Sequence, residues 1–232
     1  LKLCRGNLIL KDPDIQATVD KTLEYVLSMQ EEDGHWSDHE WSHLDTTCSV
    51  TCFLTIYQVT QDKTDDERIN KARIKGFDFI TQWQRDSGLW KDDTFHPTGI
   101  ETTAHLMQYT LVPAYFMDKI EYAGKMCMDA ADSMVAAQAE NGSWDNENTD
   151  HTMDACRNLM LVSDTFKTKE KYAPVIEKGV RWLIDIKNEQ GWGDFPQEPS
   201  NVERTADGLD TLLKYRCYEA GEPMSHFWAF SK

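Results

Sequence analysis

The sequence predicts an all-α chain of stacked antiparallel helix pairs, which curve into an arc or close into a toroid. Three observations predict it. A short turn with glycine and tryptophan recurs four times along the 232 residues. Each copy follows ten residues with helical apolar spacing and precedes an acid-x-Thr start to a second apolar segment. No stretch alternates apolar and polar residues between hairpin turns, as a strand would.

The turns read QEEDGHWSD (30–38), QRDSGLWKD (84–92), QAENGSWDN (138–146) and KNEQGWGDF (187–195). Their glycines, Gly34, Gly88, Gly142 and Gly191, lie 54, 54 and 49 positions apart. A near-constant period of this kind marks a repeat architecture. The fourth copy is degraded. Lys187 stands where the others carry Gln30, Gln84 and Gln138, and one residue is missing before Trp192.

The first helix of each pair comes from KTLEYVLSMQ (21–30), KGFDFITQWQ (75–84), DAADSMVAAQ (129–138) and KGVRWLIDIK (178–187), which align without gaps. Leu23, Val26 and Leu27, then Phe77, Ile80 and Trp83, then Val180, Leu183 and Ile184 form one apolar stripe per helix. Glycine and its acidic or amide neighbours then stop the helix. The second helix starts at Asp45, Glu101, Asp150 or Glu203, each followed two positions later by Thr. Side-chain oxygens there satisfy the free N–H groups of a helix start. These second helices are more apolar and form the inner layer. Polar links such as 61–67 and 164–171 return the chain to the next outer helix. The count is about eight main helices in one domain over 1–232, with a short helix near each end.

Composition excludes several functions. With 40 acids against 24 Lys and Arg, the formal charge is −16, which argues against nucleic acid and anionic membrane surfaces. No apolar run approaches the ~20 residues of a membrane span. The six cysteines are scattered with no CxxC pair, so reduced thiols in a cytoplasmic protein are expected. The chain begins at Leu1 rather than Met, which leaves a removed leader open.

The Q…G-x-W turn closing an outer helix resembles the QW motif of the terpenoid cyclase and protein prenyltransferase superfamily, over roughly residues 14–220. The resemblance implies a squalene-cyclase-like α/α toroid, compact or incomplete. It makes Gln30/Trp36, Gln84/Trp90 and Gln138/Trp144 structural staples between outer helices. Class II cyclases of that superfamily carry D-x-D-D or D-x-D-T-T at the start of an inner helix. HLDTT (43–47) matches the last three positions of the second form, with His43 in place of the first Asp. By that resemblance Asp45 is the proton donor, with His43, Thr46 and Thr47 around it. Such an acid must be buried enough to stay protonated. Glu101 and Asp150 hold the same repeat position and are weaker candidates; all four acids read equally as helix-start residues. The run KDDT (91–94) lies in a turn and is set aside.

A cation cascade also needs an aromatic wall. Trp41, Phe53, Tyr57, Tyr109, Tyr115 and Phe116 are the candidates, against the plainer reading of core packing. His35, His39 and His43 are four apart and would bind zinc if helical, but they straddle a turn. Cys48 and Cys52 read as buried thiols, and no resident metal is expected. The zinc triad and the basic diphosphate cluster of the prenyltransferase branch have no match, so no cofactor is expected, with Mg²⁺ only for a diphosphate substrate.

Three functions follow. The first is a proton-initiated terpene cyclase, an isomerase or lyase acting on a prenyl or polyprenyl chain in an apolar central cavity. The second is a non-catalytic toroid binding a lipid or a protein. The third is a hydrolase or lyase using paired carboxylates, with Asp45 and Glu101 as the pair. Four motifs fall short of a six-pair toroid, so a homodimer or a second domain would complete it. The aromatic tail HFWAFSK (226–232) would plug an end or dock a partner.

Overall fold

The computed structural model describes residues 2–37, 42–91 and 98–224, without the side chains of Lys2, Leu3 and Arg5. Trp41, His39 and the tail 226–232 lie outside the described residues. The chain is all-α, as the periodicity predicts; among the described residues only isolated bridges stand in for strands.

Helices α2 (Pro13–Ser28), α4 (Glu67–Thr81), α7 (Glu121–Ala136) and α9 (Lys169–Ile186) precede the four Gly-Trp turns. Helices α3 (His43–Thr60), α5 (Ile100–Leu106) continuing into α6 (Val112–Phe116), α8 (Thr149–Thr165) and α10 (Val202–Ala220) follow them. The second set forms the inner layer, in which α3 packs on α5 and α5 on α8, while α10 packs on α8. A short α1 (Lys2–Leu10) packs on α2 and α3 and extends that layer by one helix. No extensive packing joins α1 to α10, so the described helices form an arc. Between α5 and α6 the helix widens to a π-turn over Met107–Leu111. Pro113 follows, and a proline both lacks an N–H and crowds the carbonyl four residues back. The wider turn accommodates that break, a departure from the regular inner helix the pattern predicts.

The staples are explicit. The side-chain amides of Gln30, Gln84 and Gln138 donate to the carbonyls of Gly34, Gly88 and Gly142 at 2.9, 2.9 and 3.0 Å. Gln30 and Gln138 also donate to Ala72 and Val175 on the next outer helix, at 2.9 and 3.0 Å. The indoles of Trp36, Trp90, Trp144 and Trp192 donate back to Val26, Ile80, Met134 and Leu183 at 2.7 to 2.8 Å. All four rings are buried. The glycines have positive φ, from 84° to 130°. A Cβ on Gly34 would sit 2.3 Å from the Lys75 carbonyl of α4, so both conformation and space require glycine there.

The Thr of each acid-x-Thr has a role the repeat spacing alone does not state. Thr47, Thr103, Thr152 and Thr205 accept the backbone N–H of their tryptophans through Oγ1, at 2.9 to 3.2 Å. The N-caps themselves are Ser42, Gly99, Asn148 and Asn201. The acids therefore stand inside the first turn rather than at the cap, where the helix dipole still favours them. Because every inner helix starts after its own Gly-Trp turn, the four acids gather on one rim of the inner layer.

Candidate functional site

The rim is not uniform. Asp45 pairs with the N-cap Ser42: its backbone N–H donates to Ser42 Oγ at 3.1 Å, and Ser42 Oγ donates to Asp45 Oδ2 at 3.0 Å. Thr47 is buried and committed to Trp36. His43 stacks on His35, with ring centroids 4.3 Å apart. The His35 nitrogens are already engaged by Asp33 at 2.5 Å and Ser37 at 2.9 Å. The third histidine of this run, His39, lies outside the described residues. Cys48 and Cys52 are buried, and burial pushes the Cys48 thiol well up, as for an inert core thiol.

A denser cluster forms between α5, α8 and α10. Asp150 is ion-paired to Arg204, Oδ2 to Nη1, at 3.0 Å. Burial raises its carboxyl most, the nearby Asp154, Glu101 and Asp207 raise it further, and Arg204 only partly offsets them; the result is a pKa of about 6. One position on, His151 bridges two carboxylates, with Nδ1 2.7 Å from Asp145 Oδ2 and Nε2 2.9 Å from Glu101 Oε2. Burial alone would lower this imidazole, but the bonds and charges of Asp145 and Glu101 outweigh it and hold the pKa up at about 9. One turn deeper, Asp154 Oδ1 takes Arg157 at 2.5 Å while its Oδ2 faces His105 Nε2 at 3.6 Å. Arg157 reaches Asp207 at 3.1 Å and Asp210 at 3.6 Å, joining α8 to α10. Tyr109 continues the α5 face, its ring 5.7 Å from that of His105.

Glu101, His105 and Asp154 bring one ligand atom each within 4.8 Å of one another. The positive charge a cation would supply is already present, from His151 on Glu101 and Arg157 on Asp154. The group therefore reads as a compensated ion-pair network with two close carboxylates. Glu101, Asp150 and Asp154 lie close together in this cluster. Glu203 is exposed beside Arg204.

The expected aromatic wall is dispersed. Tyr57 turns to the outer layer and donates to Asp20 of α2 at 2.9 Å. Phe53 packs in the cluster of α1–α4 side chains. Tyr115 packs on Phe166, ring centroids 5.1 Å apart, and against Gly124 of α7, with the half-exposed Phe116 beside it. Of the described candidates, Tyr109 stands beside the acids. Two open hollows of about 460 and 420 Å³ lie at the opposite side, lined by Asp20, Glu24, Lys63 and Arg68, and by Asn70, Arg73 and Asp118.

Sequence reasoning from single repeats missed His105, Asp145, His151, Asp154, Arg157 and Arg204. A signal exists within DHTMDACR (150–157): acids four apart and an Arg three further lie on one helix face.

Residues 3–123 match the family model of the squalene-hopene cyclase C-terminal domain. No curated protein matches the chain. Among solved structures, the chain is similar to "a possible member of GH105 family" from Salmonella enterica subsp. enterica serovar Paratyphi A str. ATCC 9150, with TM-score 0.68 and 10% identity, covering 94% of this chain and 70% of that one. It is also similar to a protein of the same description from Klebsiella pneumoniae subsp. pneumoniae MGH 78578, with TM-score 0.66 and 10% identity, over 94% and 69% of the two chains. At that identity the likeness speaks for the toroid fold alone. Within the described residues no helix is long and apolar enough to cross a membrane.

Proposed function

Because the chain belongs to the squalene-hopene cyclase C-terminal domain family, we propose that the rim of its inner helices is a reaction surface on which Asp150 acts as a general acid. The substrate is polar and neutral or cationic, and the reaction is hydrolysis or elimination at a C–O bond. One observation carries this reading: the largely buried Asp150 carboxyl, paired with Arg204, lies among Glu101, Asp154 and Asp207, and burial with these acids pushes its pKa up to about 6. A donor near neutral pKa is matched to protonating a leaving oxygen at physiological pH. Glu101, paired with His151 at 2.9 Å, stabilises the positive charge that develops as the C–O bond breaks. Both Arg157 and Arg204 are occupied by carboxylates, so the site offers a diphosphate little purchase.

A second reading keeps the proton-initiated cyclase, with Asp45 as donor to a prenyl chain. Family membership and the HLDTT run favour it. The hydrogen bond of Asp45 to the N-cap Ser42 and the scattered aromatics weigh against it.

The test is product analysis for wild type, Asp150→Asn and Asp45→Asn. The panel holds p-nitrophenyl glycosides of neutral and amino sugars beside squalene and farnesyl diphosphate. Cleavage of a glycoside that disappears in Asp150→Asn supports the first reading. A cyclised prenyl product lost in Asp45→Asn would replace it with the second.

A further inference from the structure

The third repeat joins its tryptophan to its inner helix by the shortest link. Asp45, Glu101 and Glu203 follow their tryptophans by 9, 11 and 11 positions, whereas Asp150 follows Trp144 by 6. Three consecutive non-glycine residues close that link in the left-handed region, Asp145, Asn146 and Glu147, with φ of 51°, 56° and 67°. L residues enter this region singly as a rule, because Cβ crowds the following carbonyl. A run of three persists only where surrounding structure over-determines it.

The turn has a definite consequence. Asp145 Oδ2 accepts from Thr98 Oγ1 at 2.5 Å and lies 2.7 Å from His151 Nδ1. The other ring nitrogen lies 2.9 Å from Glu101 Oε2. A ring with a carboxylate on each nitrogen is satisfied only when both nitrogens carry protons. Among the described residues, Asp145 from the turn and Glu101 from α5 are charged groups facing His151, and Asp150 precedes it on α8.

We propose that Asp145 is a positioning residue: the left-handed turn drives its carboxylate onto His151, and His151 locks Glu101 beside Asp150 as the anionic partner of the acid. Asp145 touches no reacting atom and acts through the imidazole. The proposal rests on the reading of Asp150 as the general acid.

The experiment is an NMR titration of the imidazole nitrogens in the full chain, with His151→Gln to assign the signals. In the wild type, His151 stays doubly protonated through pH 8. In Asp145→Asn its titration moves down by about one pH unit or more, because a charge facing the ring is gone. Asn146→Gly, which enters the left-handed region freely, leaves the titration high. Where Asp145→Asn fails to fold by circular dichroism, the Asp145→Asn/Asn146→Gly double variant relieves the turn and gives the same readout. A wild-type ring that is neutral at pH 7.5, or a titration unmoved by Asp145→Asn, overturns the positioning role alone. Asp150→Asn with wild-type glycoside turnover overturns the acid reading, and with it the purpose assigned to Asp145, whatever the titration shows.

Discussion

Asp150 and Asp45 occupy the same position in their repeats, yet their surroundings differ. Asp45 accepts from the Ser42 hydroxyl through Oδ2 at the start of α3. Asp150 is buried among other acids, which disfavours its charged form. Two predictions belong at this scale. A general acid must be protonated, so turnover falls as pH rises through about 6. For stability the sign is that of a folded pKa raised above the unfolded value near 3.9. The associated stability is present below that unfolded value and is lost as pH rises through about 6. Asp150→Asn removes the charge, so it raises stability at pH 8 by about 1–3 kcal/mol and leaves it nearly unchanged at pH 3.5. Urea unfolding at the two pH values checks this, and equal shifts at both would contradict it. Gly34→Ala combines a φ of 101° with a carbonyl 2.3 Å from the added Cβ, and should cost about 3 kcal/mol or more.

The element that makes the fold is the turn, not the helix. Each Gln-Gly-Trp unit closes its own outer helix, holds its own inner helix through Thr, and in two repeats reaches the next outer helix. Gln138→Ala removes the donor to two carbonyls, one within the turn and one on α9. The expected loss is about 1–3 kcal/mol. Hydrogen exchange should show faster opening at the α7–α9 junction than elsewhere, and uniform exchange would count against the staple. A different device holds α4. Arg73 donates to Asp118 at 2.8 and 3.1 Å and to Gln58 at 2.8 Å, almost out of contact with water. Burial lowers the guanidinium and raises the carboxyl, yet each remains the other's partner. Arg73→Met strands Asp118 and should cost about 3–5 kcal/mol, whereas Arg73→Met with Asp118→Leu should recover most of it.

At the scale of the whole molecule, the four inner helices point their N-termini to one rim. The fold thereby concentrates acids there, in a chain whose net charge is −16. Self-repulsion of that size is screened by salt. Raising ionic strength from about 0.01 M to about 0.15 M should lift the melting temperature by a few degrees, since exposed ion pairs such as Arg68–Glu24 contribute little that salt can remove. A fall in melting temperature would mean that the ion-pair network of Arg157 and Arg204 outweighs the repulsion.

The repeat, its period, the order of helices and the staples were legible in the sequence, because each depends on residues within one turn and its two flanking helices. Apolar spacing, a glycine where φ must be positive, and a tryptophan to bury are local requirements, written at fixed offsets. The tertiary structure decided that burial and neighbouring acids push the Asp150 carboxyl up to about 6. It also decided that Tyr57 and Tyr115 turn away from the rim. Those outcomes depend on which groups from α5, α8 and α10 meet, about 50 residues apart in the chain, as Glu101 meets His151 and Arg157 meets Asp207. A carboxyl's protonation is set by burial and neighbouring charge, and neither exists until the inner helices pack.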